Sequence, residues 1–229
     1  SKEYVKRLAD SYKESIRFEK VSAIRRKVDG VEIKNYKNEI ENFDHVVIAT
    51  HADEAFLLLE DPSPREKDLL SSWKYTRNQA VLHNDYNLMP KRKRVWSSWN
   101  FIANGKPDRD EKVCLTYWMN RLQNIPESKP LFVTLNPGEV IMDEAIISEH
   151  EYTHPYFDTN ALESQKNLWD IQGINRTWFC GSYFGYGFHE DGLQSGLAVA
   201  EQLGGLSRPW NTVDENARIT VKSPNQVAA

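Results

Sequence analysis

Five of the chain's 11 glycines, Gly181, Gly185, Gly187, Gly192 and Gly196, fall within sixteen residues. The segment around them reads Thr177-Trp178-Phe179-Cys180-Gly181-Ser182-Tyr183-Phe184-Gly185-Tyr186-Gly187-Phe188-His189-Glu190-Asp191-Gly192. A short apolar strand runs into a glycine turn, and the turn into a helix start. Glycines let backbone approach a ligand closely, and a helix N-terminus offers unpaired N–H groups at the positive end of its dipole. Together they suit an anion, or an oxygen that gains negative charge during a reaction. The spacing Gly185-x-Gly187-x-x-x-x-Gly192 has two residues too many before its third glycine to be a Rossmann fingerprint. A ligand-free, tightly packed turn is the plainer reading of the same residues. Gly192, Gly196 and Ala200, four apart, would then give the helix a small-residue face.

Other motifs carry less. His150-Glu151-Tyr152-Thr153-His154 matches H-E-x-x-H, which binds zinc only when both imidazoles share a helical face. Ile146, Ile147 and Pro155 flank it, and a residue before proline is disfavoured in α geometry, so the match is accidental and no metal is expected. Cys114 and Cys180 form neither a disulfide framework nor a C-x-x-C site. The basic run Lys91-Arg92-Lys93-Arg94, followed by Trp96, reads as a solvated loop or as a docking point for anionic lipid headgroups.

The elements that must position these residues follow from pattern. The chain has 229 residues, 40% of them hydrophobic and 27% charged, as globular proteins do. A net charge of −4 gives no global attraction to nucleic acid. No apolar run approaches the roughly 20 residues of a membrane-spanning helix. A soluble protein of a reducing, cytoplasmic compartment is expected. Tyr4, Val5, Leu8 and Tyr12 predict a helix over 2–14. Asp29-Gly30 predicts a hairpin between strands near 16–25 and 31–36, glycine supplying a positive φ. The continuous run at 44–50 suits a strand buried on both faces, as in a parallel sheet. Helices follow over 52–59 and 63–73, the second with Ser63 as N-cap and Pro64 at N1. Segments 79–84, 95–101, 113–119, 131–135 and 145–152 predict an antiparallel sheet. A helix over 160–172, a strand over 177–183 and a helix over 192–203, closed by Gly204, complete the chain. The order is α/β, then antiparallel β, then α/β again: a mixed α/β (α+β) chain with one domain interrupted by another.

At its glycine segment the sequence resembles the flavin-containing amine oxidase superfamily, and most nearly its bacterial subgroup of predicted NAD/FAD-binding proteins. Three stretches carry the likeness: Ser1-Lys2-Glu3-Tyr4-Val5-Lys6-Arg7-Leu8, Phe43 to Asp53, and Trp178 to Gln202. Trp96 to Asn100 and His154 to Phe157 are further landmarks. The resemblance implies a discontinuous FAD-binding domain over 1–58 and 166–229, interrupted by a substrate domain with a mainly antiparallel sheet over 59–165. It also implies that the Rossmann βαβ with the main pyrophosphate turn lies upstream, so that this chain is a C-terminal half whose partner is the missing N-terminal half.

By position in the family's motifs, Val21 meets adenine through its backbone, and Ala49 and Thr50 end a strand beside the cofactor. Gly181 and Ser182 match a glycine-acid pair near the ribityl chain, with Ser182 in place of the acid. Asp191 and Gly192 present backbone to the flavin pyrimidine edge, where the helix dipole stabilises charge on reduction. His189 and Glu190 lie beside that edge: His189 either handles a proton or orients substrate, or caps the helix and bonds within the loop, and Glu190 either touches the cofactor or has that same capping role. Tyr183, Phe184, Tyr186 and Phe188 form either an aromatic wall over the ring or core. His51 reaches the cofactor cavity or caps the next helix. The implied activity is hydride transfer from the C–H of an amine or of an apolar, lipid-like small molecule to FAD. A flavin-dependent desaturase or isomerase, or a non-catalytic binding module, would share the pattern.

Overall fold

The computed structural model describes residues 2–101 and 114–222. Ser1, at the head of the first likeness stretch, and Val113, at the head of one predicted strand, lie outside the described residues. The elements, in chain order, are α1 (Lys2–Ala9), β1 (Val21–Arg26), β2 (Val31–Asn35), β3 (Ile40–Phe43), β4 (Val46–Ile48), α2 (Ala52–Leu58), α3 (Pro64–Ser71), β5 (Lys74–His83), β6 (Trp99–Phe101), β7 (Leu115–Trp118), α4 (Met119–Gln123), β8 (Phe132–Leu135), β9 (Ile146–Tyr156), α5 (Thr159–Gln165), β10 (Thr177–Phe179) and α6 (His189–Gly204). The fold is mixed helix and sheet. It falls into two compact units, Ser1–Lys74 with Phe157–Ala229, and Tyr75–Tyr156. The first unit takes in α3 and α5, which the sequence reading places in the middle segment.

In the first unit β1, β2 and β3 form an antiparallel meander, and β4 pairs with β10 in parallel. The hairpin at Asp29-Gly30 closes through Lys27 N–H to Gly30 C=O at 2.8 Å. Its glycine is required for a different reason from the one the turn signal suggests. Gly30 is not among the positive-φ residues; a Cβ there would lie 2.9 Å from the Phe43 carbonyl of β3. Helix α3 starts as predicted: Ser63 Oγ accepts from Glu66 N–H at 3.2 Å, and the Glu66 carboxylate accepts from Ser63 N–H at 2.7 Å. That carboxylate also receives Arg26 Nη1 at 2.7 Å, and Arg26 Nε reaches Asp61 at 2.8 Å. Arg26 and Glu66 are both buried, and removing either strands a charge at a cost of about 3–5 kcal/mol. The pair therefore fixes β1 against α3.

Several boundaries move. The predicted helix over 2–14 ends at Ala9 and is followed by a 3-10 turn at Lys13–Ser15. The predicted strand over 177–183 stops at Phe179, and a 3-10 turn takes Ser182–Phe184. Helix α6 begins at His189, and its left-handed cap is Gly205 (φ 66°), not Gly204.

In the second unit the sheet order is β6-β7-β8-β5-β9, with β6–β7, β7–β8 and β8–β5 antiparallel. Register places Asn100, Thr116, Thr134 and His83 on one buried face. His83 Nε2 and Thr134 Oγ1 are 2.8 Å apart, as are Thr134 Oγ1 and Thr116 Oγ1. Asp85 N–H donates to His83 Nδ1 at 3.2 Å, which leaves the other ring nitrogen as the donor. Burial holds the His83 pKa below its usual value, so the imidazole is neutral in its chain of hydroxyls. Among the described residues, no helix is long and apolar enough to cross a membrane.

Candidate functional site

The ends of β4 and β10 lie side by side. Their register is Thr177 to Val46, Trp178 to Val47 and Phe179 to Ile48, and Cys180 N–H extends it to Ile48 C=O at 3.1 Å. The chain leaves β4 at Ala49-Thr50 and leaves β10 at Gly181-Ser182, so these four residues sit at one edge. A Cβ on Gly181 would be 3.5 Å from the Thr50 carbonyl. Val46 and Ile48 are buried, whereas Val47 is 42% exposed. The expected strand buried on both faces therefore has one open face here.

That face borders a cleft of about 620 Å³ between β1–β2, the end of β4 and α2. Val21, Ala49 and Thr50 line it with Tyr36, Val47 and Leu57, while Glu19, Lys20 and Glu54 supply polar groups. Its volume falls within the range of small-molecule sites, roughly 300–1,000 Å³. His51 caps α2, its backbone N–H reaching the Glu54 carboxylate at 3.2 Å, which is the capping role open to it in the sequence.

The glycine segment is built differently, because its own side chains occupy the space its glycines leave. A Cβ at Gly181 would sit 2.7 Å from Tyr183 Cε1. One at Gly185 would sit 2.4 Å from Asp191 Oδ1 and 2.8 Å from Arg218 C=O. Tyr183 and Phe184 are core: their rings lie 4.8 Å apart, tilted at 42°, with Trp73 edge-on to Tyr183 at 5.6 Å and Trp169 edge-on to Phe184 at 5.8 Å. Tyr186 and Phe188 are exposed, each within 6 Å of the Arg218 guanidinium. Of the aromatic wall, then, two rings pack inward and two face out beneath an arginine.

Asp191 is fully buried and heavily engaged. Its carboxylate accepts Phe188 N–H at 2.7 Å and Arg218 Nε at 2.7 Å. That pairing raises the Arg218 pKa. Because α6 starts at His189, the amides of Asp191 and Gly192 already donate to Phe188 C=O, at 3.1 and 3.3 Å. The first-turn amides without an intrahelical acceptor are those of His189 and Glu190. Both side chains are exposed, and the Glu190 carboxylate accepts from Gln194 Nε2 at 2.9 Å.

Three polar residues not singled out by the sequence hold this edge. Ser195 Oγ accepts Gly181 N–H at 3.0 Å and lies 3.1 Å from the carbonyls of Gly181 and Gly192, locking the turn to α6. Gln165 Nε2 donates to the Tyr183 and Gly185 carbonyls at 2.8 and 2.6 Å. Gln172 exchanges both amide bonds with Phe179, at 2.8 and 2.7 Å. Ser195, one turn after Gly192, is the one a sequence signal marks: a small hydroxyl on the packed face of α6. Cys180 adds no nucleophile, since burial pushes its thiol pKa up.

The H-E-x-x-H residues lie on strand β9. Four strand residues span about 13 Å, too far for one ion to bridge His150 and His154. Among the described residues no group of His, Cys, Asp and Glu could hold a metal ion.

This fold is shared with known oxidases at low sequence identity. A cofactor-binding redesign of putrescine oxidase matches with a TM-score of 0.59 at 11% identity, over 87% of this chain and 52% of that one. Cyclohexylamine oxidase from Brevibacterium oxydans IH-35A matches at 0.54 and 12% identity, over 86% and 52%. Reduced UDP-galactopyranose mutase matches at 0.54 and 10% identity, over 89% and 50%. The chain spans about half the length of each structure. No protein-family model and no curated protein matches it.

Proposed function

We propose that this chain contributes part of an FAD site and the substrate domain of a flavin-dependent oxidoreductase of the amine-oxidase kind. The cleft carries the reading: it brings Val21, Ala49 and Thr50 together beside the β10–α6 turn, in a fold shared with two oxidases named for amines. The cleft fits the nucleoside end of a dinucleotide in size and in its mixed apolar and polar lining. The turn fits a ring edge in one respect only. The amides of Asp191 and Gly192 are spent within the helix, so contact with developing negative charge falls to the amides of His189 and Glu190.

A bound flavin supplies hydride acceptance from a substrate C–H, with the electrons passing on to oxygen or another acceptor. The residues here do the remaining work. Val21, Ala49 and Thr50 grip the nucleoside. Gly181, its N–H already taken by Ser195, offers only a close approach to the linker between nucleoside and ring, where Ser182 presents its hydroxyl, and the buried Asp191 carboxylate, paired with the half-buried Arg218, holds the α6 N-terminus in place. The exposed His189 imidazole exchanges a proton with the substrate. Main-chain amides from outside this chain would hold the pyrophosphate. A non-oxidative rearrangement is the second reading, favoured by the mutase match at the same TM-score as one of the oxidases.

The test is titration of the chain with FAD and with ADP, followed by ligand-observed NMR. Weak binding of both is expected, lost when Ala49→Trp fills the cleft. Unchanged binding by Ala49→Trp would show that the cleft is not the nucleoside site, and tight stoichiometric FAD would contradict the assignment of the pyrophosphate cradle to another segment.

A further inference from the structure

The basic run, which reads in the sequence as a solvated loop or a lipid contact, has a specific setting. Lys91, Arg92, Lys93 and Arg94 are all exposed. Among the described residues, only Lys93 of the four has a carboxylate partner, Glu127 at 2.7 Å. The run leads through Val95, 60% exposed, into β6, the edge strand of its sheet. Along β6 the side chains alternate: Asn100 points inward, buried, and bonds Ser97 and Thr116, while Trp99 and Phe101 point outward, 61% and 63% exposed. Tyr117 of β7 lies opposite Trp99 on that outer face, edge-on at 5.9 Å.

We propose that this edge, residues 91–95 with Trp99 and Phe101, docks on the surface of a bilayer that contains anionic lipid. Charge complementarity names the partner. Four adjacent cations, three of them without a carboxylate partner among the described residues, concentrate positive potential at one loop of a chain whose net charge is −4. An anionic leaflet attracts such a cluster within a Debye length, about 10 Å at 0.1 M salt. The tryptophan a few residues away suits the headgroup boundary, where an amphipathic ring is favoured, and the phenylalanine supplies apolar surface to bury below it. Val95, aliphatic and exposed between the cations and the rings, adds apolar surface of the kind that inserts at a hydrocarbon boundary. The inference does not depend on the cofactor reading.

Co-sedimentation of the whole chain with vesicles tests it. Equal parts phosphatidylcholine and phosphatidylglycerol should pellet the protein at 0.1 M salt, and phosphatidylcholine alone should not. Binding should fall at least tenfold in 1 M salt. Replacing Lys91, Arg92, Lys93 and Arg94 with Gln together should cost at least tenfold, at about fivefold or less for each cation removed. A Trp99→Ser, Phe101→Ser pair should lose several-fold and abolish quenching of tryptophan fluorescence by brominated lipid. Circular dichroism checks that each variant stays folded, and the salt series needs no variant. Failure of the wild type to pellet with the anionic vesicles overturns the proposal. So does undiminished binding by the four-Gln variant. Tighter, salt-sensitive binding to a single-stranded oligonucleotide than to the vesicles would assign the face to nucleic acid and also overturn it.

Discussion

Two adjacent strand ends in the first unit meet similar backbone demands in opposite ways. After β4 the chain uses the small residues Ala49 and Thr50, both exposed, and the space beside them stays open as a cleft. After β10 it uses Gly181 and Gly185, and Tyr183, Asp191 and Arg218 fill the space those glycines release. Small residues at a strand end therefore do not by themselves mark a ligand. The turn richer in glycine is the more tightly packed of the two, and the plainer one keeps the room.

This contrast can be broken by substitution. Gly185→Ala should be the most damaging, because its Cβ meets a buried carboxylate at 2.4 Å and a backbone carbonyl at 2.8 Å. A loss of about 3 kcal/mol or more is expected in urea unfolding. Gly181→Ala should cost about 2 kcal/mol, since the Tyr183 ring it strikes is wedged between Trp73 and Phe184. Ser195→Ala should cost about 1–2 kcal/mol by stranding the Gly181 N–H, and should raise hydrogen exchange at that amide. Ala49→Leu should change stability by less than about 0.5 kcal/mol while weakening ADP uptake in the titration above. If Ala49→Leu destabilised as much as Gly185→Ala, the difference between the two strand ends would vanish.

Local chemistry explains which parts of this are readable in the chain. The Ser63-Pro64 cap, the Asp29-Gly30 hairpin and the β4 and β10 runs are signalled within a few residues, and the structure forms them there. Strand β3 gives no such signal because all four of its residues are exposed, which leaves no apolar alternation to read. Gly192 reads as the start of α6 because glycine marks boundaries. The acidic first turn, Glu190 and Asp191, complements the helix dipole and pulls the start back to His189. The Arg218 contact joins residues 27 apart through an irregular segment, and no periodic pattern encodes such a pairing. Whether Tyr183 and Phe184 face a ligand or the interior depends on Trp73 and Trp169, which only the tertiary fold brings near.

The side-chain amide of Gln172 has a consequence for assembly. It takes both main-chain groups of Phe179, and Gly173 N–H takes the Thr177 carbonyl at 2.9 Å. One rim of the two-strand parallel ribbon is thereby sealed as a neighbouring strand would seal it, without offering that strand's template. Any further segment that lengthens this ribbon, from the same polypeptide or another, must add on the Val47 side, so the direction of growth is set before the newcomer arrives.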